Sequence, residues 1–150
     1  MNGNWHLKIS SRSLLILTGF MLSISIMLYS CQNAAQLQQD IYYTNGRDLY
    51  IKHCQNCHGS KAEGFGALTP PLTDSTYLKA NKSKLACLIK NGISGPIRIH
   101  NKDYNDKMPG FPGLANIDIA QLIVFVTNAH GNHQGMYTTD QVTTDLNNCE

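Results

Sequence analysis

Apolar residues fall along the chain as one long run and several helical stripes, separated by two loops rich in Gly and Pro. The long run covers residues 14–28 and is broken only by Thr18, Gly19, Ser23 and Ser25. The spacing predicts four helices. The first starts at Thr44 or Asn45 and ends near Cys54, with Gly46 and Tyr50 on one face and Leu49 beside them. The second covers 83–90, carries Leu85, Leu88 and Ile89, and stops at Asn91-Gly92. The third covers 117–129. Ile119, Leu122, Ile123, Phe125 and Val126 give it a broad apolar face, and Gly131 closes it. The fourth covers 139–148. Thr138 and Gln141 match a capping box, and Val142, Leu146 and Cys149 recur at i, i+4 and i+7. No internal repeat is present. The loops at 59–74 and 92–113 are long for an all-α domain, and such loops are often functional. A large buried cofactor would supply core that the polypeptide lacks.

The chain has 150 residues, 42% of them hydrophobic and 15% charged, which fits one compact domain with a leader. The formal net charge is +2, and setting aside Lys8 and Arg12 leaves ten basic and ten acidic residues. No basic stripe appears, so nucleic acid is not an expected partner. Lys8 and Arg12 precede the apolar run as an export signal would require. The run is shorter than the roughly 20 residues of a spanning helix. It ends at Leu28-Tyr29-Ser30-Cys31, which resembles the bacterial lipoprotein box except for Tyr29. The expected organisation is a signal peptide over 1–30, a lipid-anchored tether over 31–41 with Cys31 lipidated, and a folded domain over 42–150. The alternative is an uncleaved anchor with Cys31 an ordinary thiol. In both cases the domain faces an oxidising compartment, the bacterial periplasm or cell envelope.

Cys54-Gln55-Asn56-Cys57-His58 is the attachment signature for c-type haem. Two thiols three residues apart on a helical turn reach the two vinyl groups of one porphyrin. His58 then lies under the iron as the proximal ligand. Gly59 lets the chain turn away close to the ring. A thioredoxin-like pair would want alternating strands and helices around it. A zinc site would want a second ligand pair, for which His130 and His133 are the candidates. A plain disulfide is the simplest rival. For the sixth iron position, Met108-Pro109 lies in the second Gly/Pro-rich loop, stiffened by Gly110, Pro112 and Gly113. Its thioether would favour the ferrous state. His100 is the competitor.

These residues resemble the class I c-type cytochromes over roughly 42–129. The resemblance is carried by Gly46-x-x-x-Tyr50, Cys54-x-x-Cys57-His58-Gly59, Pro70-x-Leu72, Met108-Pro109 and the helix ending in Ile123-Val124-Phe125-Val126. It implies an all-α, cytochrome c-like domain wrapped around one covalent haem c. It implies that Gly46 and Tyr50 pack near Phe125, and that the Pro70 carbonyl, or that of Pro71, holds the His58 imidazole. The stretch Gly92-x-x-Gly95-Pro96-Ile97 with Tyr104-x-x-x-Met108-Pro109 is similar to a bacterial lipoprotein subgroup. Asn101, which tolerates positive φ, stands at a turn where glycine is common.

With Cys54 and Cys57 taken by haem and Cys31 by lipid, Cys87 and Cys149 remain as one pair. A disulfide between them would staple the extra C-terminal helix, 139–149, to the haem domain. The alternative is two reduced, buried thiols. The expected function is a carrier of single electrons between redox partners that dock transiently, with His58 and Met108 closing the iron. The rival readings are a peroxidase-like or oxidase enzyme, using His100, His130 or His133, and a cytochrome subunit of a larger oxidoreductase. Arg98 and Tyr104 are candidate propionate contacts.

Overall fold

The structure, a computed structural model, describes residues 10–99 and 101–149, and the side chains of all of these but 30–33. Contacts divide the chain into two units, Met1–Gln38 and Gln39–Glu150. Helix α1, Ser11–His53, begins in the first and ends in the second. Its start corrects the expected beginning at residue 44 or 45 and replaces the tether with helix. The reason is local. No Gly or Pro lies between Gly19 and Gly46, and Ala34, Ala35, Gln36, Leu37 and Gln38 are all helix-tolerant. A polar stretch without an apolar stripe looks like a linker but still propagates a helix already nucleated upstream.

In the first unit, α1 exposes Leu15, Ile16, Phe20, Met21 and Met27. Thr18, Ser23 and Ser25 do not interrupt the helix, because their hydroxyls donate to the carbonyls of Leu15, Phe20 and Met21 at 2.8–3.0 Å. The helix is therefore long and apolar enough to cross a membrane, where the run had been expected to fall short.

The second unit contains the end of α1, then α2 (Gln55–His58), α3 (Ser75–Ala80), a 3-10 turn (Lys82–Lys84), α4 (Leu85–Asn91), a hairpin of β1 (Ile97–Ile99) and β2 (Lys102–Tyr104), α5 (Asn116–Asn128) and α6 (Thr139–Leu146). Helix α5 is the centre. Ile119, Ala120, Leu122, Ile123, Val124 and Phe125 are all buried on it, and they feed two adjoining apolar clusters. At its start the Asp118 carboxylate accepts the Ala115 N–H at 3.0 Å. Helix α1 crosses α5 at Gly46. A Cβ there would collide with the Gln121 carbonyl and come within 2.9 Å of Phe125 Cβ. Tyr43 and Tyr50 each stack on Phe125 with centroids 5.2 Å apart. Gly46 and Tyr50 thus pack where the resemblance places them.

The helix expected at 83–90 starts as a 3-10 turn and becomes α4 only at Leu85. Helix α3 was not expected. Asp74 caps it, with Oδ1 accepting from the Thr76 and Tyr77 amides at 3.0 and 3.1 Å. The loop at 92–113 holds an antiparallel hairpin, registered as Ile97↔Tyr104 and Ile99↔Lys102 and turned by Asn101 at φ +60°. Helix α6 begins with the expected reciprocal cap. Thr138 Oγ1 accepts the Gln141 amide at 3.2 Å, and Gln141 Oε1 accepts the Thr138 amide at 2.8 Å. Val142 and Tyr137 bury α6 against the α5 cluster, and Cys87 on α4 is disulfide-bonded to Cys149.

Candidate functional site

Cys54 closes α1, its amide donating to the Tyr50 carbonyl at 2.8 Å. The turn of α2 follows at once, with the Cys57 and His58 amides donating to the Cys54 carbonyl at 3.1 and 2.9 Å. One helical turn therefore carries Cys54, Cys57 and His58. Both cysteines are free thiols, Cys54 half-buried and Cys57 exposed. Burial, reinforced by the neighbouring Cys57, pushes the Cys54 thiol up to about 11. Gly59 leaves the turn at φ +83°, and its carbonyl accepts the Tyr50 hydroxyl at 2.7 Å.

His58 is only 8% exposed. Its Nδ1 lies 3.0 Å from the Pro70 carbonyl, which decides between Pro70 and Pro71. A carbonyl can only accept, so Nδ1 carries the hydrogen and Nε2 presents its lone pair. Burial lowers the imidazole pKa, outweighing the opposite effect of the Pro70 carbonyl. The lowered pKa favours the neutral ring, the form a metal ligand needs.

The loop at 59–74 is ordered by its own backbone. The Gly64 amide donates to the His58 carbonyl at 2.8 Å, that of Phe65 to Thr69 at 2.9 Å, and that of Leu72 to Ala62 at 2.9 Å. Gly64, at φ +74°, allows close passage, since a Cβ there would lie 2.8 Å from the Pro70 carbonyl carbon. Buried Asn132 reaches across from beyond α5, its Nδ2 donating to the Leu72 and Val126 carbonyls at 3.2 Å.

Met108 is fixed from the other side. It forms a two-bond antiparallel bridge with Ile93, at 2.9 and 3.1 Å. The Phe111 amide donates to the Ile89 carbonyl at 2.9 Å, and Lys90 Nζ to the Leu114 carbonyl at 2.8 Å. Side chains at Gly92 and Gly110 would strike this junction. The Met108 loop is therefore docked on the end of α4.

The structure brings Cys54, His58, Pro70 and Met108 to one cleft. Its other walls are apolar apart from the Tyr77 phenol, and include Leu85, Leu88, Ile89, Ile123 and Val126. A second recess shares His58, Pro70 and Met108 and adds Cys57, Leu68 and Tyr104. The residues fit a flat apolar macrocycle. The neutral imidazole supplies one nitrogen donor, Met108 a soft sulfur, and the rim two thiols.

Other candidates lie elsewhere. Arg98 is exposed and paired with Asp103 at 3.2 Å. Tyr104 is buried in the outer recess. His130 and His133 are exposed and line neither recess. Among the described residues no cluster of three or more His, Cys, Asp or Glu could hold a metal ion. His100 and the Cys31 side chain lie outside the described residues. Asn132 and Tyr77 were missed from sequence. Neither belongs to a motif, and Asn132 meets Leu72 across 60 residues.

A family model described as cytochrome C oxidase, cbb3-type, subunit III matches residues 43–126. No curated protein matches the chain.

Proposed function

We propose that this chain, which belongs to the cbb3-type cytochrome c oxidase subunit III family, carries single electrons between redox partners through one His58/Met108-ligated haem c. The family makes it a c-type cytochrome, with covalently bound haem c and a domain that works outside the cytoplasm. The observation that carries the finer reading is the single apolar cleft faced by Cys54, His58 and Met108. When bound, haem c supplies a reversible one-electron couple. Cys54 and Cys57 would each add across one vinyl group, the sulfur bonding to one vinyl carbon and the hydrogen passing to the other as the double bond becomes single. The Pro70 carbonyl fixes the His58 tautomer and strengthens Nε2 as a donor. The Ile93 bridge holds the Met108 backbone in place. Apolar walls exclude water and favour the less charged ferrous state. Bound by both His58 and Met108, the iron would have no open position for a substrate.

Expression beside a working haem-ligation pathway tests this. The expected product has the mass of one porphyrin, a weak far-red methionine–iron band, and no carbon monoxide binding in the ferrous state. A colourless product, or rapid carbon monoxide binding, overturns it. Met108→Ala should lose the band.

Lipidation at Cys31, with Leu28 and Ser30 before it, would hold the domain at a membrane surface. Mass spectrometry of the membrane-extracted protein tests this, and the expected chain starts at an acylated Cys31. A chain that keeps the residues before Cys31 and carries no acyl group would instead favour an uncleaved anchor. The family description favours a second reading, in which the electron carrier is a subunit of a larger oxidoreductase. Co-purification with a stable oxidase after mild detergent extraction would select it over a transient carrier.

A further inference from the structure

We propose that Lys102 is a positioning residue that ties the loop bearing the Pro70 carbonyl to the strand leading to Met108, and so governs how readily the Met108 sulfur is displaced. The inference rests on the His58/Met108 ligation proposed above.

Lys102 opens β2, opposite Ile99, just after the Asn101 turn. Its Nζ donates to the Gly66 carbonyl at 2.7 Å, across 36 residues of sequence. The same Nζ stands 5.2 Å from the centroid of the Tyr104 ring. Gly66 lies at φ +57° inside the turn closed by the Phe65–Thr69 bridge, and Pro70 follows that bridge directly. Tyr104 is buried in the recess shared by His58 and Met108, four residues before Met108. The ammonium therefore touches one segment that orients the proximal imidazole and another that delivers the distal sulfur.

Little else joins those segments. The loop at 59–74 is otherwise bonded to itself, to Tyr50, Gln55 and His58, to the start of α3 and to Asn132. The Met108 loop is otherwise bonded to α4 and Ile93. Among the described residues the Lys102–Gly66 bond is the hydrogen bond that joins the hairpin to the turn at 65–69. A charge-assisted bond to a carbonyl needs the ammonium itself, and the aliphatic stem cannot replace it. Removing it leaves both segments folded but free to part.

The test follows displacement of methionine by added imidazole in the ferric holoprotein, read from loss of the far-red band. Lys102→Met keeps the stem and removes the donor. It should displace about three- to tenfold faster than wild type, the scale of one modest hydrogen bond. Lys102→Arg restores a charged donor and should stay within about twofold. Lys107→Met removes a nearby charge without breaking this bond and should also stay within about twofold. Equal acceleration by Lys107→Met would assign the effect to net charge and overturn the proposal. An unchanged rate in Lys102→Met would overturn it too, as would an acceleration matched by an equal loss of global stability. If wild type lacks the methionine band, the ligation reading has failed instead. Amide exchange at Phe65 and Thr69 then still decides on the bond, since it should quicken in Lys102→Met and not in Lys107→Met.

Discussion

Replacing Cys87 and Cys149 together by serine removes the covalent link between α4 and the end of the chain. The two residues are 62 apart in sequence, and their Cα atoms lie 5.7 Å apart. In the chain-entropy treatment, freeing a loop of that length costs about 4 kcal/mol of stability. Packing losses should be small, because serine is close in size and Asp145 offers a carbonyl 3.5 Å from Cys87 Sγ. Helix α6 should remain docked, since Val142 and Tyr137 are buried independently of the bridge. The expected result is a large fall in unfolding midpoint with an unchanged folded-state spectrum. For a unit of this size, about 4 kcal/mol corresponds to a drop in Tm on the order of 15 °C. The assay is chemical and thermal unfolding of the oxidised holoprotein beside the double variant, with alkylation and mass spectrometry to verify the bridge. A loss below about 1 kcal/mol would refute the reasoning, because the link would then not restrict the unfolded chain.

Three further perturbations follow from the packing and the site. Gly46→Ala drives a methyl into the Gln121 carbonyl and should cost about 3 kcal/mol or more, seen as a lowered unfolding midpoint. Met108→Ala should lower the reduction potential in a spectroelectrochemical titration, since the thioether favours the ferrous state. The Tyr137 pKa is raised above 10 by burial, its hydrogen bond to Asp145 and the Asp145 charge. The unfolded phenol therefore releases its proton first as pH climbs. Tyr137 stabilises the fold below about pH 10, and that contribution is lost progressively above it. Tyr137→Phe should flatten the fall in stability above about pH 10, measured by denaturant midpoints.

What the sequence revealed was local. The Cys54–His58 turn, the apolar face of α5 and the Thr138/Gln141 cap each lie within a few residues, so spacing alone exposes them. The polar stretch before residue 44 was misjudged because helix continuity there depends on what lies upstream, and no stripe marks it. Helix α3 is only six residues long and carries one buried side chain, Leu78, too little for a periodic signal. The hairpin was concealed by the Gly and Pro count of its surroundings. Asn132 and Lys102 act on carbonyls 60 and 36 residues away, and nothing in their own neighbourhood announces it.

Cys54 also bears on how the five cysteines avoid mispairing. Thiol exchange proceeds through the thiolate, and a thiol that titrates near 11 is almost wholly protonated at neutral pH. Burial thus biases folded Cys54 toward the thiol form, which is the less reactive form toward Cys57 and oxidants. A sulfur kept as thiol remains available for thioether formation, while the oxidised pair is the Cys87–Cys149 bridge at the end of the chain.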